Sequence, residues 1–430
     1  MLEKAKSILL IILVGTSLYQ SYQLAYHSTN YEPIRESEYV ESELIGTQEK
    51  VENLVFPNQI VIHENSESHA VLYPDHPFYK IIMEDLKKRS YEGIRISEKS
   101  TLLLKQLMNE QAGIEIRFPS PLPLQVIRQA IPLQIGLLSD EEWIHTMWLT
   151  VGEESGIVDI FLLGEDFADA YEVTMSDLTG DKVREYIRFG EFQTPKYTLS
   201  PYGFLYPTEP ISIQRLSYRY TTFAGDRMGN MLFPDPGITR SLPTRDSSEI
   251  YSDGKRGLEI NNDQQWMSYT DPMASIGGTF NARTDLPTAA QFINRYGGWN
   301  GRYGLERVEV SARQSQPNFV FRQWLSSFPY SYPIVSKNDQ RFGYISILLQ
   351  QDVITQYERS LLSLDPIRVE RSEQFLQGGE PLLNRILRFG VLSQIKRITP
   401  AYKPHVTDET IEFMPIWAVV LGDGTMLELP

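Results

Sequence analysis

The sequence predicts an α+β protein dominated by antiparallel β-sheet with packed helices, and three observations support that fold class. Short segments in which apolar and polar residues alternate, the pattern of half-buried strands, recur between turns rich in Gly, Asp, Asn and Pro. Segments with apolar residues at helical spacing lie between those strands. An apolar stretch at the start of the chain also predicts a transmembrane helix before the folded domains.

The predicted transmembrane helix covers residues 7–26. Its apolar run, residues 8–18, gives way to weakly polar residues that include three tyrosines. A helix needs about 20 residues to cross the hydrocarbon core of a bilayer, and this segment supplies them. Lys4 and Lys6 precede the run, so the positive-inside rule places residues 1–6 in the cytoplasm and the bulk of the chain outside the cell membrane.

A cleaved signal peptide is the main alternative for this segment, because it shares the positive start and the apolar run. Cleavage requires small residues after the apolar run, whereas the best small-residue site here, residues 15–17, lies inside it. A packed N-terminal helix is a third interpretation. We therefore expect an uncleaved, single-pass anchor.

Composition limits the possible functions. With 430 residues, 41% of them hydrophobic, the chain can build several cores, and its net charge of −15 disfavours nucleic acid as a partner. The chain contains no cysteine, which excludes disulfides, thiol catalysis and cysteine metal sites. The absence of thiols also fits an exported protein.

Three extracytoplasmic domains are expected beyond an acidic connector at residues 27–54. The connector carries seven glutamates, and we interpret it as a solvated stalk, with a partner-binding segment beside the membrane as the alternative. A proline cluster between residues 195 and 210 marks one domain boundary, and Gly277 and Gly278 mark another. The predicted domains are an N-terminal domain (55–192), a central β-rich domain (193–280) and a C-terminal domain (281–430).

Hydrophobic periodicity places the elements of the N-terminal domain in order. We expect strands at Gln59–His63, 70–73, 114–118, Trp143–Val151 and 156–163, and helices at 78–86, 100–111 and 176–187. Pro77 precedes the first of these helices and fits its first turn, and Gly113 ends the second.

The later domains are predicted to contain mostly strands. These are expected at both sides of the Asp253-Gly254 turn and at 265–269, 306–312, 318–325, 342–350, 353–358 and 412–420, with helices at 222–233, 287–296 and about 372–387. The segments 257–269 and 343–357 share a pattern, an alternating strand followed by a second strand that ends in tyrosine. A generic hairpin explains the pattern, and related second and third domains are the alternative.

No compact catalytic or metal motif is present. His63, His69 and His76 are the most plausible metal cluster, but their spacing matches no motif such as H-E-x-x-H. The G-x-S-x-G elbow of serine hydrolases is absent, and the glycine-rich segment 297–304 lacks the P-loop pattern and is interpreted as a turn. The sequence therefore predicts a non-enzymatic protein with no catalytic residue, metal ion, cofactor or small-molecule substrate.

Several short segments carry a resemblance to a known family. The clearest are residues 250–260 (IYSDGKRGLEI) and 266–272 (WMSYTDP); the others are 6–10 (KSILL), 56–63 (FPNQIVIH), 231–235 (MLFPD), 292–299 (FINRYGGW) and 357–365 (YERSLLSLD). Together they make the chain resemble the YycH (WalH) family, the accessory membrane regulators of the WalK/WalR (YycG/YycF) two-component system in low-GC Gram-positive bacteria.

The resemblance implies an anchored regulator with three extracytoplasmic domains, the last of which is similar to the sister protein YycI. It implies that the protein modulates a WalK-type sensor histidine kinase, and through it cell-wall metabolism, together with a YycI-type membrane protein. It carries over no enzymatic residues. The alternative function is that of an anchored cell-wall glycan-binding protein or glycan hydrolase.

Ser17, Gln20 and Ser21 are the residues that we expect to contact a partner. Polar side chains are costly against lipid tails but hydrogen-bond well to a second helix. Their i, i+3, i+4 spacing places the three on one face of the predicted transmembrane helix. The alternative is that they lie in the outer headgroup region.

Overall fold

The computed structural model describes the following residues: 2–26, 45–134, 142–152, 156–167, 169–193, 195–233, 239–243, 248–263, 265–272, 280–310, 316–336, 341–390, 392–422 and 424–429. The predicted connector up to residue 44 and the glycine pair at 277 and 278 lie outside these residues.

The helices are α1 (Leu2–Tyr26), α2 (Val51–Leu54), α3 (Pro77–Leu86), α4 (Thr101–Glu110), α5 (Leu124–Ile127), α6 (Gly180–Arg188), α7 (Gly225–Leu232), α8 (Ala282–Arg295) and α9 (Gly379–Phe389). The strands are β1 (Gln59–His63), β2 (His69–Leu72), β3 (Tyr91–Ile96), β4 (Gly113–Pro123), β5 (Trp143–Val151), β6 (Val158–Leu163), β7 (Ala170–Ser176), β8 (Tyr197–Leu199), β9 (Leu205–Pro207), β10 (Ile211–Thr222), β11 (Arg240–Pro243), β12 (Ser248–Ser252), β13 (Gly257–Asn261), β14 (Trp266–Thr270), β15 (Arg302–Val310), β16 (Pro317–Ser327), β17 (Tyr330–Pro333), β18 (Tyr344–Gln350), β19 (Val353–Ser360), β20 (Leu362–Leu376), β21 (Ile395–Val406), β22 (Thr410–Leu421) and β23 (Met426–Glu428).

Sheet A contains nine strands in the order β3-β7-β6-β5-β4-β1-β2-β8-β9. Strand β1 lies inside the sheet, pairs with β2 and β4, and is buried along its whole length. Ile60 and Ile62 belong to one core cluster and Val61 to another, because successive side chains of a strand point to opposite faces. The centre of sheet A is therefore covered on both faces.

Sheets B and C cover the two faces of sheet A. Sheet C has the order β11-β12-β13-β14-β19-β18-β16-β15, with β17 beside β16, and shares the core cluster of Ile60 and Ile62. Sheet B has the order β20-β10-β22-β21, with β23 beside β22, and shares the cluster of Val61. The mixture of helices with antiparallel sheets confirms the predicted α+β fold class.

The three sheets meet at the end of β4. The Ser120 hydroxyl donates a hydrogen bond of 2.8 Å to the backbone carbonyl of Glu306 in sheet C. Arg397 of sheet B donates from Nη2 to the backbone carbonyl of Pro119, at 3.4 Å. The Glu306 carboxylate in turn accepts a 2.7 Å bond from Nε of Arg322. This segment of β4 thus fixes the position of sheet A against both other sheets.

The sheets do not divide at the predicted domain boundaries. Strand β14 pairs with β19, with Tyr269 opposite Tyr357, so sheet C runs across residue 280. Strand β10 pairs with β20 and β22, so sheet B also takes strands from both sides of that residue. Strands β8 and β9 follow residue 192 but belong to sheet A. Glycine and proline mark turns, whereas pairing between distant strands leaves no local signal, and the three-domain division stays a prediction.

The repeated pattern at 257–269 and 343–357 corresponds to two hairpins that lie side by side. Hairpin β13–β14 and hairpin β18–β19 are neighbours in sheet C, and the tyrosines that end their second strands, Tyr269 and Tyr357, face each other in the register. Cross-strand aromatic pairs stabilise antiparallel sheets. The pattern therefore reflects the seam at which the two hairpins join.

The predicted helix at 372–387 is wrong in its first half. Strand β20 continues to Leu376, where it pairs with Ile211 of β10, and helix α9 begins only at Gly379. Pro381 then lies in the first turn of α9, where its missing N–H costs nothing. Long-range pairing with β10 outweighs the local helical pattern.

Strands β10 and β21 were not predicted from the sequence. Pro400 and Pro404 argue against a strand in β21, because proline cannot donate to a ladder of hydrogen bonds. The strand order of sheet B explains the exception, since β21 lies at the edge of the main strand path and proline is tolerated on edge strands.

Helix α1 contains the predicted transmembrane segment, residues 7–26. In the part of the chain that the structure describes, no helix combines the length and the apolar composition needed to cross a membrane. Membrane attachment through α1 stays a prediction.

Arg359 of β19 is completely buried and holds the turn after α8 against sheet C. Its Nη1 donates to the carbonyl oxygen of Gly298 at 2.6 Å and to the Tyr357 hydroxyl at 2.9 Å, and its Nη2 donates to Oδ1 of Asn300 at 2.9 Å. The turn needs glycine, because Gly297 and Gly298 have φ angles of +114° and +68°. The interpretation of this glycine-rich segment as a turn is thus confirmed for these residues.

Replacing Arg359 by methionine should lower the free energy of unfolding by about 3 kcal/mol. The Gly298 carbonyl and the Tyr357 hydroxyl each lose a buried donor, at about 1–3 kcal/mol each. Arg359→Lys should have a smaller effect, since it retains the charge and some donors. Urea unfolding of the full chain, followed by tryptophan fluorescence, measures both changes.

Arg371→Met is the matched control. Arg371 is an exposed arginine on β20, and exposed substitutions of this kind usually change stability by less than about 0.5 kcal/mol. Equal unfolding midpoints for Arg359→Met and Arg371→Met would contradict the structural role assigned to Arg359.

Candidate functional site

The residues predicted to contact a partner lie on α1. Ser17 and Gln20 are exposed, whereas the side chain of Ser21 lies outside those that the structure describes. The neighbouring Thr16 satisfies its hydroxyl group within the helix by donating to the carbonyl oxygen of Ile12 at 2.7 Å. The structure places Ser17, Gln20 and Ser21 on one helix, and their role in binding stays a prediction.

The apolar side chains of α1 are also exposed. Leu9, Leu10, Leu13 and Leu18 each expose between 59% and 66% of their surface. Burying such side chains is favourable by about 1.5–3 kcal/mol each. Helix α1 therefore has a large apolar surface available to a membrane or to another helix.

A second candidate site is a cleft of about 620 Å³ between sheets A and B, here called the A–B cleft. One wall consists of β1, β2, β4, β5 and helix α4, and the other consists of the start of β21 and the turn after β22. The hairpin β8–β9 contributes Leu199 and Tyr202 to its lining. Its volume falls within the range of pockets that hold small molecules, about 300–1,000 Å³.

Strand alternation explains why charged residues line this cleft. Ile114 and Ile116 of β4 point to the core shared with sheet C, so Glu115 and Arg117 point to the opposite face. His63 of β1 lies on that same face. A strip of polar side chains thus crosses a sheet that is otherwise packed on both sides.

Glu115 is the centre of a buried ion-pair network. Its carboxylate accepts two bonds of 2.6 Å from Nε and Nη2 of Arg117, and Oε2 also lies 3.1 Å from Nε2 of His63. Burial alone would raise the pKa of Glu115, but the charge of Arg117 and the bonds from His63 and Arg117 hold that pKa well below its usual value. Glu115 is therefore a fixed negative charge and is not suited to act as a general acid.

Two histidines on the cleft wall are held neutral. Burial, reinforced by His63 and Arg117, lowers the pKa of His69 to about 4. Burial, reinforced by Arg397 and Arg117, lowers the pKa of His145 to about 4. Both are uncharged at neutral pH and can donate or accept hydrogen bonds.

Arg397 is a buried cation at the sheet B wall, with 6% of its surface exposed. Its Nε has no hydrogen-bond partner, and none of the ion pairs among the described residues involves it. Its Nη2 donates a long hydrogen bond, 3.4 Å, to the backbone carbonyl of Pro119. Burial and the nearby Arg117 lower the pKa of Arg397 to about 10, so the guanidinium remains charged at neutral pH.

An ion pair joins the two walls near the surface. Lys396 of β21 pairs with Asp166 of the turn after β6, and this bond holds the pKa of Asp166 below its usual value. Asp166 exposes 69% of its side chain, so the pair is solvated and contributes little to stability.

The histidine cluster proposed as an alternative metal site is not assembled. The rings of His63 and His69 lie 4.8 Å apart, but His76 caps helix α3 by accepting a bond from the Phe78 N–H, and its ring stacks on Tyr330. Among the described residues, no group of three or more His, Cys, Asp or Glu side chains could hold a metal ion.

Sequence analysis missed the residues that define the A–B cleft. The strand containing Glu115 and Arg117 was expected, and two opposite charges at i and i+2 were the available signal that one face of it is polar. Arg397 lies on the unpredicted strand β21, and nothing in the sequence links it to β4, which is more than 270 residues earlier.

Comparison with known proteins gives consistent matches. The family model described as the YycH protein, N-terminal domain, matches residues 3–188, and that described as the YycH protein, C-terminal domain, matches residues 202–426. The two-component system WalR/WalK regulatory protein YycH of Bacillus subtilis (strain 168) is 20% identical over 441 residues, which cover 97% of this chain and 94% of that protein.

A solved structure shares the fold. The crystal structure of YycH from Bacillus subtilis matches with a TM-score of 0.70 at 18% identity, and the match covers 90% of this chain and 99% of that chain. The two family models together match nearly the whole sequence, in agreement with the segments singled out above. The chain therefore belongs to the YycH family.

Proposed function

We propose that this protein regulates a WalR/WalK-type two-component system by acting on its sensor histidine kinase. The observation that carries the proposal is the match to the YycH family along the chain, together with the printed function of the Bacillus subtilis relative, a WalR/WalK regulatory protein. A regulator of this kind works by binding one signalling state of the kinase more tightly than the other. No catalytic step is needed.

The proposed contact with the kinase lies in the membrane, through α1. The apolar run at residues 8–18 is about 16 Å long at 1.5 Å per residue, roughly half of the hydrocarbon core. The other half of the span must then come from the residues after this run, which include Gln20 and Ser21. These two side chains, together with Ser17 at the end of the run, would lie at lipid depth. Hydrogen bonds to a second helix would satisfy these side chains, so α1 is better suited to an assembly than to an isolated span.

The finer points of the proposal concern location and partners. The N-terminus would lie in the cytoplasm, and the sheets would lie outside the cell membrane. A YycI-type membrane protein would join the complex, with the C-terminal part of this chain resembling it, and the signalling output would be cell-wall metabolism. Confinement of the partners to one membrane raises their effective concentration without requiring a tight soluble interface.

The direct test is co-purification of the tagged full chain from detergent-solubilised membranes. We expect a WalK-type kinase and a YycI-type protein to be retained. A chain in which α1 is replaced by an unrelated transmembrane helix is the control, since it remains anchored. Retention of cell-wall glycan without the kinase would favour the alternative, an anchored glycan-binding protein or glycan hydrolase, and would contradict the proposal.

The predicted partner-binding face of α1 is tested by a triple variant in which Ser17, Gln20 and Ser21 are all replaced by leucine. The variant should stay anchored, because leucine favours lipid, but its association with the kinase should weaken by about 1–2 kcal/mol through lost interhelical hydrogen bonds. Quantitative co-purification at several expression levels measures the change.

Thr16→Leu is the matched control for the triple variant. It also exchanges a polar residue of α1 for leucine, but the Thr16 hydroxyl is already bonded to Ile12. We expect kinase association at the wild-type level. If the triple variant also associates at that level, the contact is not specified by Ser17, Gln20 and Ser21.

A further inference from the structure

Two buried polar side chains on the wall of the A–B cleft have nitrogen atoms without a hydrogen-bond partner. Nε of Arg397 and both ring nitrogens of His69 make no hydrogen bond among the described residues, although these residues expose only 6% and 4% of their surfaces. Buried polar groups in proteins are almost always hydrogen-bonded. Two exceptions that line one cleft call for a common explanation.

The charge at Arg397 is compensated only in part by its neighbours. Glu306 and Glu115 lie near enough to favour it, but Glu306 is already bonded to Arg322. The nearby carboxylate Glu115 is already engaged by both nitrogens of the Arg117 fork, and Asp166 is engaged by Lys396. A buried charge without a partner costs several kcal/mol. Water can solvate such a group but cannot neutralise it, whereas an anion can do both.

We propose that the A–B cleft binds a small anionic ligand, with its oxyanion group on Arg397 and a second polar group on His69. The planar guanidinium suits a carboxylate or phosphate, which can accept two parallel bonds from one arginine. His69, held neutral, offers one donor and one acceptor at a different point of the same cleft.

The rest of the cleft fits a ligand of this kind. Its volume of about 620 Å³ accommodates a small organic molecule. Leu199, Leu205 and Tyr202 of the β8–β9 hairpin provide an apolar side. Four cations line the cleft (Lys105, Arg117, Lys396 and Arg397) against three carboxylates (Glu115, Glu165 and Asp166). The lining is therefore slightly positive in a protein whose net charge is −15.

This inference is independent of the proposed action on a kinase. It concerns what the outer part of the chain binds, and its test requires no kinase. If the protein regulates the kinase but binds no anion, only this inference fails. If it binds an anion but does not act on the kinase, only the proposed function fails.

The test is a titration of the purified full chain with succinate and with inorganic phosphate at constant ionic strength. Sodium chloride replaces the probe in the reference series. We expect the melting temperature to rise with at least one probe relative to chloride, because a ligand that binds only the folded state stabilises it. A rise with succinate alone assigns a carboxylate ligand, and a rise with phosphate alone assigns a phosphate ligand.

Arg397→Gln should weaken binding of the active probe by about tenfold or more, because a charge-assisted pair of bonds is lost. Lys403→Gln is the control: it removes the same charge from β21, but Lys403 pairs with Glu428 and does not line the cleft. The affinity of Lys403→Gln for the active probe should equal that of the wild type.

Lys396→Gln provides a second test, since Lys396 is partly exposed at the rim and lies outside the buried network of Glu115, Arg117 and His63. It should weaken binding several-fold. The proposal is overturned if neither probe stabilises the wild type beyond chloride. It is also overturned if Arg397→Gln binds the active probe as tightly as Lys403→Gln does. If Arg397→Gln does not fold, the same comparison is made with Lys396→Gln.

Discussion

Burial of sheet A on both faces is the constraint on which the rest of the structure depends. An antiparallel sheet usually leaves one face to water, but here sheet C covers one face, and sheet B and α4 cover the other. Charges on its buried central strands, such as Glu115 of β4, must therefore find their partners inside the protein. Arg117 neutralises Glu115 within β4 itself. Arg397 approaches from sheet B and lies near Glu306 and Glu115, but among the described residues its Nε has no hydrogen-bond partner.

The position of Arg397 follows from the junction of the three sheets. The end of β4 contacts Glu306 of sheet C and Arg397 of sheet B, so its prolines and Ser120 set the spacing between the sheets. Pro119, Ser120 and Arg397 also line the A–B cleft, so the cleft adjoins this junction. A ligand there would touch two sheets at once and would bias their relative position. Such a bias is how a ligand acts on a regulator, because a ligand shifts an equilibrium between two arrangements only by binding them unequally.

Local sequence patterns correctly predicted the elements that are determined by interactions between residues close in sequence. Strand β1, strand β5 and helix α3 lie where periodicity and the proline at the helix start place them, because adjacent residues determine those elements. Strand β21 was missed because its prolines are tolerated only at a sheet edge, and the edge is set by distant chain segments. For the same reason the pairing of Tyr269 with Tyr357 and the meeting of Arg397 with β4 leave no trace in a single sequence. The family, in contrast, was predictable from short segments spread along the chain.

The central claim is that α1 acts on the kinase by specific contact within the membrane and is more than an anchor. It is tested most directly by the autophosphorylation rate of a WalK-type kinase reconstituted in lipid vesicles with the full chain. The account predicts that the intact chain changes this rate and that the chain with α1 replaced by an unrelated transmembrane helix leaves it at the level of the kinase alone. An unchanged effect after that replacement would contradict the account and assign the regulation to the outer sheets.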